Sequence, residues 1–174
     1  MKKILVVVDM QKDFVDGALG TKEAVAIVDK VAATIRNFDG DIIATYDTHD
    51  ENYMNTQEGK KLPVPHCIKD TEGWKLDKKV QTALDEKGYK AVYKPTFGSV
   101  DLVEMIKAYD TENTEIFMIG LCTDICVVSN ALLLKANFSE MNISVDASCC
   151  AGVTPEKHEA ALETMRSCQI EVIS

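Results

Sequence analysis

The 174-residue chain is short of positive charge: 19 Lys and Arg stand against 28 Asp and Glu, a formal net charge of -9. That balance disfavours nucleic acid and anionic membrane as partners, since both need clustered cations. No apolar run approaches the twenty or so residues that span a bilayer. Neither GxGxxG after the first strand nor GxxxxGK occurs, so dinucleotide and nucleoside-triphosphate sites are not expected. Proline is scarce at four residues and tryptophan single, and no low-complexity tract, repeat or linker divides the chain. One domain over residues 1–174 is expected. The start, MKK leading straight into an apolar run, has no cleavage-site pattern, so a cytoplasmic location is expected. The six cysteines then read as reduced thiols rather than disulfides.

What is present is a regular alternation. KILVVVDM, DIIATYD, YKAVYK, EIFMIG, NISVDAS and QIEVIS are short and apolar or β-branched. Between them lie helical patterns, such as residues 21–37 with Ala24, Ile27, Val28, Val31 and Ile35 on one side. Thr154 followed by Pro155 marks the start of the last helix, and Gly88 the end of an earlier one. Strands without polar alternation belong to sheets covered on both faces. The expectation is a three-layer α/β/α fold, Rossmann-like, around a mainly parallel six-stranded sheet with right-handed crossovers. Residues 51–73 show no periodicity and read as a long functional loop. The fifth strand is expected to end near Asp146.

Ligands of such folds bind beyond the carboxyl ends of the strands. Asp9, Asp47, His49, Lys94 and Cys126 all fall there. Cys126 is placed in the first turn of a helix, where the dipole and free N–H groups favour a thiolate. Asp9 is positioned to hold its proton and Lys94 to favour its anion. The backbone N–H groups of Cys122 and Cys126 suit an oxyanion hole. This points to acyl transfer through a thioester. Asp47-x-His49, with Glu58 and His66 in PVPHC, offers mixed carboxylate and imidazole ligands for zinc, iron or manganese. Phe14 either floors an aromatic pocket or anchors its loop; Trp74 and Phe97 either line a pocket or pack. Among the three histidines, His158 reads as a solvated helix residue.

VVVDMQKDF, YDTHD with PVPHC, YKPTFGS and GLCTDICV resemble the isochorismatase-like cysteine hydrolases, and within them the nicotinamidases. The likeness covers nearly the whole chain. It implies a catalytic triad of Asp9, Lys94 and Cys126. It also implies a cis bond before Cys122, an oxyanion hole at Cys122 and Cys126, and a pocket including Phe14, Leu121 and Ile125. The metal ligands it implies are Asp47, His49 and His66, with Glu58 or Asn55 in the fourth place and zinc as the first choice of ion. The implied reaction is hydrolysis of nicotinamide to nicotinic acid and ammonia, a step of NAD salvage, by a homo-oligomer. A metal-independent hydrolase of another small amide, carbamoyl or ureido compound, and a non-catalytic ligand-binding domain, are the alternatives.

Overall fold

A computed structural model describes residues 1–174. Six strands form one sheet: β1 (Lys2–Val8), β2 (Asp41–Asp47), β3 (Lys90–Lys94), β4 (Thr114–Leu121), β5 (Asn142–Ala151) and β6 (Glu171–Ile173). Their order is β3-β2-β1-β4-β5-β6, and every pairing is parallel. The order reverses between β1 and β4, so the chain leaves their carboxyl ends in opposite directions and opens a crevice there.

The helices are α1 (Lys12–Val15), α2 (Lys22–Asn37), α3 (Gln57–Lys61), α4 (Lys78–Lys87), α5 (Val100–Ile106), α6 (Val128–Asn137) and α7 (Pro155–Ser167). Alternate residues of β1 feed two separate cores. Leu5 and Val7 pack with Val28, Val31 and Ile35 of α2 and with Val80 and Leu84 of α4. Ile4, Val6 and Val8 pack with Leu102 and Ile106 of α5, Ala131 and Leu134 of α6, and Leu162 and Met165 of α7. Each fully buried aliphatic side chain contributes roughly 1.5–3 kcal/mol. Of the apolar stripe expected on α2, Ala24, Val28, Val31 and Ile35 are buried and Ile27 is partly so.

Start and stop signals act as their chemistry dictates. Thr21 Oγ1 accepts the Ala24 N–H at 3.0 Å, and Thr154 Oγ1 accepts that of Lys157 at 3.2 Å. Gly88 ends α4 with φ +79°. The structure departs from expectation in two places. The stretch read as a loop over residues 51–73 holds α3, capped by Thr56, a 3-10 turn at Tyr53–Asn55 and the start of another at Glu72–Trp74. Five residues are too few for a helical repeat to register in the sequence. β5 runs on to Ala151, because after a register shift opposite Met118 and Gly120 it pairs again through Cys150 and Ala151.

Gly120 sits opposite Val8 at φ +124°, and a Cβ there would lie 2.1 Å from the Val8 carbonyl oxygen. Gly88 also has positive φ but nothing within 4 Å of a Cβ. Urea denaturation is therefore expected to separate them: Gly88→Ala costs roughly 1–3 kcal/mol from backbone strain alone, and Gly120→Ala costs more, because β1 and β4 must also part.

Candidate active site

Three adjacent strands end in polar residues that their own apolar sequences force to one edge. Asp9 follows β1, Asp47 ends β2 and Lys94 ends β3, with Asp47 and Lys94 in register. Asp9 takes φ +47°, a left-handed conformation that Asp tolerates better than most residues. Its N–H bonds the Thr45 carbonyl at 3.2 Å, and the Thr45 hydroxyl donates to Asp9 Oδ1 at 2.7 Å. Lys94 Nζ stands 2.7 Å from Asp9 Oδ2 and donates to the Thr96 carbonyl at 3.0 Å and to Cys126 Sγ at 3.4 Å. Asp9, Lys94 and Cys126 are all buried. Apart from the Lys94 ion pair, Asp9 Oδ2 has no hydrogen-bond donor.

Burial and the neighbouring Asp47 raise the Asp9 carboxyl above its usual range, against the pull of Lys94. Burial opposes the charge on Lys94, but Asp9 and Cys126 outweigh it and the ammonium is held more firmly than usual. Burial, then Asp9, drives the Cys126 thiol well above its usual value. The helix start is expected to favour a thiolate, and burial beside Asp9 works against it. Cys126 lies in a π-helical turn, Thr123–Val127, ahead of α6 rather than in the first turn of an α-helix. The thiol, the carboxyl and the ammonium group titrate as one coupled set.

The turn itself is tightly held. The Leu121–Cys122 bond is cis. The Cys122 carbonyl accepts the N–H groups of Ile125 and Val127, both at 3.1 Å. Asn130, fully buried, donates to the Cys126 carbonyl at 2.8 Å and to the Phe97 carbonyl at 3.1 Å, while its Oδ1 accepts the Ser99 N–H at 2.8 Å.

Beside this set, ligand atoms of Asp47, His49, Glu58 and His66 lie within 4.8 Å of one another. The Asp47 Oδ2 to imidazole Nε2 distances are 3.0 Å for His49 and 3.3 Å for His66. Glu58 Oε2 is 3.5 Å from His49 Nε2, and its Oε1 is 3.8 Å from His66 Nε2. A tetrahedral ion bonded at about 2.0–2.1 Å would space its donors roughly 3.4 Å apart, so these four fit a divalent metal. His66 Nδ1 is engaged by the Val64 carbonyl at 2.8 Å, which leaves the Nε2 lone pair facing the cluster. Burial pushes Asp47 up, but the bonds from His49 and His66 prevail and hold it at about 2. Burial opposes a proton on His66, and the Asp47 bond outweighs it. Burial raises Glu58. Asn55 is outside the cluster, its side chain bonded to Asn52 at 2.6 Å.

A cavity of about 280 Å³ joins the two groups. Its lining includes Cys126, Cys122, Asp47, Glu58 and His66, with Phe14, Leu19, Leu62, Phe97 and Ile125 as apolar walls. Phe14 tilts against the His66 ring at 5.4 Å. Leu121 does not line the cavity: it is fully buried in the core under α2. Trp74 packs against Tyr46 and Tyr93, its indole N–H on Thr48. His158 is half-buried rather than fully solvated, and its ring binds Thr123. Cys122 reaches the cavity too, and burial and Asp124 push its thiol to about 12; what separates the two thiols is Lys94, whose ammonium reaches Sγ of Cys126.

Several supporting side chains gave no sequence signal. Gln11, fully buried, accepts the Asp47 N–H and donates to the Asp47 carbonyl, both at 2.7 Å, so its amide extends β2 by one false rung. Asp13 Oδ2 accepts the Cys67 N–H at 2.8 Å and so anchors the residue after His66. Thr45 and Asn130 belong to the same group. Only their polar character inside apolar runs marks them beforehand.

With this geometry established, comparisons place the chain. A family model described as "Isochorismatase domain" matches residues 3–174. An uncharacterized isochorismatase family protein of Bacillus subtilis is 32% identical over 176 residues, covering 93% of each chain. The chain belongs to the isochorismatase family. Among solved structures, a nicotinamidase/pyrazinamidase of Bacillus subtilis superposes with TM-score 0.87 at 26% identity, covering all of both chains. A pyrazinamidase of Pyrococcus horikoshii in complex with zinc gives TM-score 0.81 at 27% identity over 100% of this chain and 99% of that one.

Lys94→Met would leave the Asp9 carboxylate buried and unpaired, and its expected cost near neutral pH is about 3–5 kcal/mol. The sign with pH follows from the raised Asp9 carboxyl. A raised acid opposes folding once ionised, so the cost shrinks as pH falls through the Asp9 value and the lone carboxyl takes up a proton. Urea titrations at neutral and acidic pH would show this, and Asp9→Asn added to Lys94→Met is expected to restore most of the loss.

Proposed function

We propose that the protein hydrolyses nicotinamide to nicotinic acid and ammonia through a thioester on Cys126. The observation that carries this reading is the buried Asp9–Lys94–Cys126 set, opening onto the same cavity as the Asp47–His49–Glu58–His66 cluster. The nicotinamidase/pyrazinamidase named among the structural relatives supports the choice of amide.

In the proposed sequence Asp9 Oδ2 takes the Cys126 proton as Sγ attacks the carboxamide carbon. The amide oxygen takes up the negative charge and is met by the N–H groups of Cys122 and Cys126. Asp9 returns the proton to the departing nitrogen, the C–N bond breaks, and ammonia leaves. A water then gives a proton to Asp9 and attacks the thioester, the C–S bond breaks, and Cys126 recovers its proton. Lys94 keeps Asp9 ionised at the start and favours the passing thiolate. Phe14 and Ile125 provide the apolar walls against which a flat aromatic ring rests. Asp47, His49, Glu58 and His66 would hold one divalent ion, zinc by preference, supplying a Lewis-acid anchor for the substrate. Support for zinc comes from the zinc-bound relative and from a mixed imidazole and carboxylate donor set. The reading includes a reduced, cytoplasmic setting, in keeping with six free thiols. It also includes a homo-oligomer, for which the exposed Phe97 and Val100 offer apolar surface.

Purified protein is expected to release ammonia from nicotinamide, to lose activity on chelation and to regain it with zinc. Cys126→Ala is expected to lower kcat on the order of 10³-fold or more. Full activity in Cys126→Ala would remove the thioester route. Release without dependence on metal would favour a metal-independent amidase.

A further inference from the structure

One half-buried ring has no part in the chemistry above. His158, on α7, places Nδ1 2.7 Å from Oγ1 of Thr123. Thr123 is fully buried and is the first residue of the turn that holds Cys126, immediately after the cis Leu121–Cys122 bond. A second tie runs alongside, where Asp124 Oδ1 accepts the Val153 N–H at 3.0 Å. Between the two, Gly152 lies so close to α7 that a Cβ there would stand 2.7 Å from His158 N. Just before it, Ala151 pairs with Leu121. The strand that borders the nucleophile's own strand therefore leads directly into the helix whose histidine reaches back to the turn.

We propose that His158 is a positioning residue for Cys126. Through the Thr123 hydroxyl it fixes the rotation of the Thr123–Val127 turn, and so the direction in which Sγ faces Asp9 and Lys94. This rests on the cysteine-hydrolase reading above. The Lys94 Nζ to Cys126 Sγ distance is 3.4 Å, so a small rotation of the turn opens that contact. The hydroxyl and Nδ1 share one hydrogen bond, with the donor set by the imidazole tautomer, and the hydroxyl has no other partner among the side chains that meet it. A buried hydroxyl needs some partner in any protein. A partner needed only for that purpose would affect stability and leave the thiol's reactivity unchanged.

The test uses the metal-loaded protein and three variants: His158→Leu, Thr123→Val and His158→Asn. For each, kcat and KM with nicotinamide, the rate of iodoacetamide labelling of the Cys126 peptide by mass spectrometry, and the urea midpoint are measured. His158→Leu and Thr123→Val are expected to lower kcat and Cys126 labelling about tenfold each, with KM within about twofold of wild type. His158→Asn, whose Oδ1 can accept the same hydroxyl, is expected to recover most of both. Thr123→Val keeps the shape of a buried residue and serves if His158→Leu does not fold. The proposal is overturned if the urea midpoint moves while kcat and labelling stay within about twofold of wild type. A folded His158→Asn that rescues neither quantity overturns it too. If the wild-type protein releases no ammonia, the nicotinamidase reading fails, and the labelling rates alone decide for or against His158.

Discussion

The contact on which the site depends is the ion pair between Asp9 and Lys94, 2.7 Å long and buried on both sides. Neither partner is tolerable alone at that depth, since an isolated buried charge costs several kcal/mol. The pair therefore fixes two strand ends relative to each other, and the parallel register of β1, β2 and β3 is what brings them within reach. Thr45 and the backbone of β2 hold the carboxylate from one side. Lys94 divides its donors between Asp9, the Thr96 carbonyl and Cys126. What looks like a reactive thiol is, electrostatically, a third member of a pair that already exists without it.

That view also links the two halves of the cavity. Asp47 raises the Asp9 carboxyl and is itself held low by its histidines. A cation seated among the four ligands would neutralise Asp47 and so weaken its effect on Asp9. The four-ligand cluster and the thiol set share one low-dielectric crevice, and charge placed in one is felt in the other.

Much of this was legible in the sequence for physical reasons. Continuous apolar strands such as ILVVV can only be covered on both faces, which implies the layered fold, and the polar residue after each such run must lie at its end. Asp9, Asp47 and Lys94 were placed by that logic. The behaviour of Cys126 was not, because burial beside a carboxylate is a tertiary property and the helix dipole is a local one. The bond from His158 to Thr123 gave no signal, because its neighbours on α7, Lys157 and Glu159, are exposed. Only the return of β5 beside β4 brings it to Thr123. Leu121 adjoins the Cys126 turn in sequence, yet β4 turns its side chain into the core under α2.

The stretch carrying the metal ligands is pinned at both ends. The His49 N–H bonds the Cys67 carbonyl and the Lys69 N–H bonds the His49 carbonyl, each at 2.9 Å, while Asp13 holds Cys67. Asp47, His49 and His66 thus sit on a closed frame, and the chain between residues 50 and 65 is a loop spliced into it. Insertions or deletions there would leave three donors where they are and displace only Glu58. Three of the four candidate ligands thus belong to the scaffold, and the fourth rides on a segment whose length can change without moving them.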